Sequence, residues 1–225
     1  MKNRLLLMVL LMVVTVAGRA QHFAFEAGAL DPVWQHIGEC NAQKYALKDG
    51  RLRIYGDVFQ LHEEGHPFSC VCQPVPDSLF TFETKMTLMD SDSGDEAGLL
   101  LYRSPQVYVQ CLLNNNRSEL RLRLRLQLYS QHLVLENVPI GASHRQIWLR
   151  VAPEKGSSDY EFSYSSDGEA YHRLGTVERH LLSASVAGCS EALRAGVYCL
   201  AGSGKFNAGY PYADFDYIDI NNVNE

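Results

Sequence analysis

The stretch Glu119-Leu120-Arg121-Leu122-Arg123-Leu124-Arg125-Leu126-Gln127-Leu128-Tyr129 alternates with a strict period of two. In an extended chain successive side chains point to opposite faces. Five leucines therefore share one face, and Glu119, Arg121, Arg123, Arg125 and Gln127 share the other. A helix would scatter those leucines around its axis, whereas a strand presses them all into one core. The spacing predicts a half-buried antiparallel strand, and with it a chain built on sheets that have one packed and one wet face.

Short alternating, β-branched or aromatic runs recur on both sides of that stretch. Strands are predicted at 45–48, 51–55, 69–74, 80–89, 97–102, 107–113, 119–129, 132–138, 146–151, 160–165, 171–177, 196–201 and 213–220, with no convincing helix. The turns between them have mechanisms. Asp49-Gly50 and Asp167-Gly168 accept the positive φ of tight hairpins, and Asn114-Asn115-Asn116 is read as closing another. Hairpins at this density predict an all-β, two-sheet antiparallel sandwich or jelly roll.

The first twenty residues stand apart from this pattern. Lys2 and Arg4 precede an apolar run at 5–16, and Gly18-Arg19-Ala20 ends it with small residues where a signal peptidase reads. Residues 1–20 are predicted to be a signal peptide, with 21–225 forming one secreted or periplasmic domain. The run is too short for a comfortable membrane span, so no membrane contact is expected after cleavage. A formal charge of −6 and a pI near 5.7 give no electrostatic reason to expect nucleic acid as a partner.

Six cysteines in an exported chain permit fifteen full pairings, and spacing does not choose among them. Cys70 and Cys72 share one face of a strand and read as small buried residues rather than a metal site. Cys199, in a strand between Tyr198 and Leu200, reads as a buried thiol. The acidic run 90–96 begins like a calcium loop. It fails as one because Gly94 stands one position early and Leu101 occupies the place of the bidentate glutamate. The eight histidines show no paired metal spacing. No metal, cofactor or catalytic residue is assigned. Sandwich glycosidases carry carboxylates two apart on a central strand; Asp214 and Asp216 have that spacing, but the strand reads as terminal and edge-like.

Several segments together resemble a known family. Leu52-Arg53-Ile54-Tyr55-Gly56, Phe82-Glu83-Thr84-Lys85, Glu96-Ala97-Gly98-Leu99-Leu100-Leu101-Tyr102, Trp148-Leu149-Arg150-Val151, Phe162-Ser163-Tyr164-Ser165-Ser166-Asp167-Gly168 and Ala213-Asp214-Phe215-Asp216-Tyr217 look, in this order, like the C-terminal concanavalin A-like domain of family 43 β-xylosidases. The resemblance implies a lectin-like jelly roll. It also implies that catalytic carboxylates belong to a five-bladed propeller preceding this domain, which these residues do not contain. The family domain lends an aromatic side chain to the neighbouring active site, and Phe59 and Phe68 lie in the comparable region. Two departures stand out: Gln73-Pro74 replaces an arginine pair, and 202–212 is longer than in the family.

The expected function is an exported, stand-alone carbohydrate-binding or accessory module for xylan- or arabinan-like plant polysaccharide. Its expected ligand is an oligo- or polysaccharide. A second expectation is a glycoside hydrolase of the β-xylosidase or arabinofuranosidase kind, or a subunit that completes a partner hydrolase. Sugars stack on aromatic rings and hydrogen-bond to polar side chains. The candidate binding residues are Tyr210 and Tyr212 on a Gly- and Pro-containing rim, Trp34, and Arg121 and Arg123 of the ladder. The ladder is also readable as a plain solvated strand face, and Trp34 as core; as a site, the arginines would suit a uronate-bearing glycan.

Overall fold

The computed structural model describes residues 21–223 except 27, 39–41, 64–65, 67, 90–91, 117–118, 142 and 203–209. The predicted leader, Cys40 and most of the 202–212 segment lie outside the described residues. The order is β1 (Gln21–Ala24), β2 (Tyr45–Lys48), β3 (Arg51–Tyr55), β4 (Cys70–Pro74), β5 (Phe80–Met89), β6 (Glu96–Ser104), β7 (Val107–Asn116), β8 (Glu119–Leu128) and β9 (Gln131–Pro139). It continues with β10 (Gln146–Pro153), β11 (Tyr160–Ser165), β12 (His172–Val177), one short helix α1 (Ala184–Ala187), β13 (Arg194–Leu200) and β14 (Tyr212–Asn222). Two antiparallel sheets form a sandwich. One runs β12-β11-β10-β5-β14-β3-β2, with β1 added on β14; the other runs β4-β13-β6-β7-β8-β9.

The leucine face of β8 packs into the core between the sheets. Leu122 and Leu124 are fully buried there, with Leu120 and Leu126 nearly so. Opposite them stand inward residues of the larger sheet such as Phe82, Met86, Leu149, Phe162 and Phe215. Alternation along β5, buried then half-buried over all ten residues, is the same rule at work in the facing sheet.

The other face of the six-stranded sheet is wet only in part. Ile37, Leu61 and Phe68 from the loops before β4 cover it, and with Cys70, Cys72, Leu100, Tyr102, Tyr108, Leu112, Tyr198 and Leu200 they form a second apolar cluster there. Strands β4, β6, β7 and β13 are thus buried on both faces, and solvent reaches this face mainly near β8 and β9. Cys70 and Cys72 belong to this cluster as buried free thiols.

Three expectations change. The asparagine run does not turn: Asn114-Asn115-Asn116 is the end of β7, paired with Arg121, Leu120 and Glu119 of β8. The C-terminal strand is not an edge, because β14 lies between β5 on one side and β3, then β1, on the other. Its length makes this possible: 212–215 pair with β3, a bulge follows Phe215, and 217–220 pair with β1. Strand β1 and helix α1 were not foreseen. The helix is one turn, capped by the Ser183 hydroxyl at its start and by Gly188 in the left-handed region at its end.

Candidate functional site

Period-two alternation sends Glu96 of β6, Gln110 and Asn114 of β7, and Arg121, Arg123 and Arg125 of β8 to the outer face, opposite the core leucines. Their register brings them together. Gln110 lies directly across from Arg125, and Asn114 from both Glu96 and Arg121. Arg125 Nη2 forms an ion pair with Glu96 Oε1 and donates to Gln110 Oε1 at 2.9 Å. The Tyr198 hydroxyl donates to the same Glu96 oxygen at 3.3 Å. Glu96 is 4% exposed at the side chain and Arg125 23%, so removing either partner would strand a charge in a poorly hydrated place. Burial and the Glu96 carboxylate push the Tyr198 hydroxyl far above its ordinary pKa, leaving it a neutral donor.

Beside this network opens a cavity of about 350 Å³. Glu96, Asn114, Arg123 and Arg125 form its floor, while Val58, Gln60, Ser93, Gly94, Asn116 and Gly202 are among its walls. Buried Asp95 fixes the walls: Oδ1 accepts the Gly202 N–H at 2.7 Å and Oδ2 the Asp92 N–H at 2.5 Å. Its carbonyl accepts the Asn115 N–H at 2.8 Å, and the Gly94 N–H returns to the Asn115 carbonyl at 2.7 Å. Another wall is held by a close backbone approach. The Ala201 N–H donates to the Asp57 carbonyl at 2.8 Å, and a Cβ on Gly56 would stand 2.9 Å from the Ala201 nitrogen.

The sequence candidates divide. Arg123 lies in the cavity floor; its Nε donates to Asn137 Oδ1 at 3.3 Å. Burial and the flanking Arg125 and Arg121 lower its pKa. Arg121 is engaged outside the cavity by Glu119 at 2.5 Å and by Asn137 Oδ1 at 2.7 Å. Trp34 is core, 6% exposed, with its ring edge-on to Phe23 at 4.9 Å. Tyr210 is 53% exposed, and Lys44 Nζ stands 4.2 Å over its ring. Lys44 also pairs with Asp57 at 2.9 Å, next to the wall residue Val58. Tyr212 begins β14 on the other sheet, with the Arg53 guanidinium 3.9 Å over its ring. Phe59 stacks on His66 at 4.1 Å, and Phe68 packs against Tyr198 in the second cluster.

Glu96, Asn114 and Arg125 belong to the site although the sequence pattern did not single them out. A signal was present: Tyr108, Gln110, Leu112 and Asn114 share one parity, so two amides sit on one face of a mostly apolar strand. Which residues of β6 and β8 those amides meet depends on register, and that is set by turns and core packing.

The carboxylates of β14 are on the opposite sheet and are occupied. Asp214 takes a bidentate pair from Arg53 at 2.7 and 2.8 Å. Asp216 contacts Arg51 at 3.0 Å and Lys85 at 2.7 Å.

Residues 22–221 match the family described as the beta xylosidase C-terminal concanavalin A-like domain. No curated protein matches the chain. Among solved structures, the fold resembles the GH43 protein BlXynB of Bacillus licheniformis (TM-score 0.79, 20% identity, 90% of this chain and 39% of that one). It also resembles the xylan beta-1,4-xylosidase of Bacillus halodurans C-125 (TM-score 0.74, 18% identity, 89% and 38%). A functionally unknown protein of Saccharomyces cerevisiae shares the fold along nearly its whole length (TM-score 0.56, 15% identity, 85% and 96%). This chain spans about two-fifths of the length of the GH43 structures. By its match over nearly all of 21–223, the chain belongs to the family of β-xylosidase C-terminal concanavalin A-like domains.

Proposed function

We propose that this protein is an exported carbohydrate-binding or accessory module for xylan- or arabinan-like polysaccharide, and that it binds glycan in the cavity beside β8. The observation that carries the reading is the cavity itself. An open, polar hollow on a rigid sheet sets guanidinium and amide donors beside a carboxylate acceptor, the groups that sugar hydroxyls require. The polar lining is ordered by backbone hydrogen bonds around Asp95, so little entropy is lost in arranging it for a ligand. Tyr210 is an exposed ring that could extend such a site at the rim.

The family supports an accessory role. In the GH43 structures this fold makes up about two-fifths of a longer chain, so a partner glycoside hydrolase is a natural associate. A pull-down of the chain from Gln21 on insoluble xylan and arabinan, with reducing-sugar assay of the supernatant, tests the proposal. Retention without sugar release is expected. Passage through both polymers unretained would defeat the binding reading, and release lost in a single carboxylate variant would make the chain a hydrolase.

A further inference from the structure

The three guanidinium groups of β8 lie on one face but differ in their partners. Arg125 is neutralised by Glu96, and Arg121 by Glu119. Arg123, between them, forms no ion pair among the described residues, and Glu96 acts on it only beyond ion-pairing distance. Its hydrogen bond at 3.3 Å goes to Asn137 Oδ1, an amide oxygen that Arg121 holds more tightly at 2.7 Å. Of the negative groups nearby, Glu96 Oε1 serves Arg125 and Tyr198, and the Asp95 oxygens accept the Gly202 and Asp92 amides.

We propose that the cavity selects an acidic sugar unit, a uronate whose carboxylate pairs with the Arg123 guanidinium; this rests on the glycan-binding reading. Arg123 is half-buried on the floor of a cavity open to solvent, where a ligand can reach it. A planar guanidinium matches a carboxylate in a two-bond fork, a geometry that a neutral hydroxyl cannot fill. Burial lowers the pKa of Arg123, and two like charges, Arg125 and Arg121 at alternate positions of the same strand, crowd it and lower it further against the pull of Glu96. A bound anion would relieve that crowding. Gln60 on the same cavity can meet hydroxyls of the ring, as can the Oδ1 of Asn114, whose Nδ2 donates to the Asp95 carbonyl at 3.3 Å.

The test is calorimetric titration with a xylo-oligosaccharide bearing one glucuronic acid and with the same compound after its carboxyl group has been reduced to the alcohol. The acid is expected to bind about tenfold more tightly, the ratio shrinking as salt is raised. Arg123→Gln, checked for folding by its melting curve, should erase the preference, and Arg121→Gln should keep it. Equal affinity for acid and alcohol would overturn the uronate inference and leave glycan binding standing. A preference that survives in folded Arg123→Gln would remove Arg123 from the site. Binding of neither compound would overturn both readings.

Discussion

Asp167 shows how one side chain can define a hairpin. Its carboxylate accepts the backbone N–H groups of Glu169 at 2.8 Å and Ala170 at 3.0 Å and the Ser165 hydroxyl at 2.8 Å. Those bonds to the charged form lower its pKa from the ordinary 3.8 to about 2. A carboxylate with a depressed folded pKa adds stability above its unfolded value and loses it as pH falls through the folded one. Thermal melts of the native protein should therefore weaken between about pH 4 and pH 2, and Asp167→Asn should show a smaller change over that window. An identical acid slope in the variant would contradict the assignment.

The cysteines pose a second question at this scale. Cys111 and Cys199 face the core at zero exposure; burial pushes the Cys111 thiol up to about 12 and the Cys199 thiol higher still. Neither should react with iodoacetamide at pH 8 until the protein is unfolded. Mass mapping without reduction should find Cys189 and Cys199 unjoined, and a peptide linking them would refute the buried-thiol reading.

Among the elements, β8 has the plainest prediction. Leu124→Asp would bury an unpaired carboxylate at a position of zero exposure, at a cost of several kcal/mol, a large part of a domain's stability. Arg121→Ser removes a surface pair and should cost no more than about 1 kcal/mol. Denaturant melts that ranked the two alike would mean the strand faces the other way. Strand β6 has a tighter constraint: a Cβ on Gly98 would stand 2.1 Å from the Cys111 carbonyl oxygen and 2.6 Å from the Leu112 Cα. Since backbone of β7 would have to move, Gly98→Ala should destabilise by about 1–3 kcal/mol despite its small size.

These strands also show what could be read in advance. The period of β8 reveals both its type and its facing, because every second residue is leucine. Strand β7 is buried on both faces although one of them carries Gln110 and Asn114, and only the cover of Ile37, Leu61 and Phe68 explains why Tyr108 and Leu112 need no solvent. Composition alone could not show that Asn114 to Asn116 continue a strand: asparagine favours turns, but cross-strand pairing with β8 overrides that preference. Strand β14 read as an edge because it ends the chain, and its interior place follows from topology.

At the scale of the molecule, the fold was legible through spacing and hairpin chemistry, while the cavity was not. Its floor draws on three strands whose residues lie 9 to 29 positions apart between strands and meet only in register. Arg123 was visible as part of a ladder, but its lack of an ion pair among the described residues emerged only once Arg125 found Glu96 and Arg121 found Glu119. Asp214 and Asp216, the pair with glycosidase-like spacing, are held by Arg53, Arg51 and Lys85 on the other sheet. The chain from Gln21 is accordingly expected to release no sugar from aryl xylosides or arabinosides. Activity that survives purification and is lost in Asp216→Asn would contradict that expectation.

Glycan is proposed to bind on the outer face of the six-stranded sheet. Amide chemical-shift mapping by NMR, during titration of the isotope-labelled chain with xylo-oligosaccharide, tests it most directly. Shifts are predicted to gather at Val58, Gln60, Ser93 to Glu96, Asn114, Arg123, Arg125 and Gly202, with the Arg53, Lys85 and Tyr212 amides of the opposite sheet unmoved. Shifts confined to that opposite sheet, or a spectrum unchanged at saturating sugar, would contradict the account.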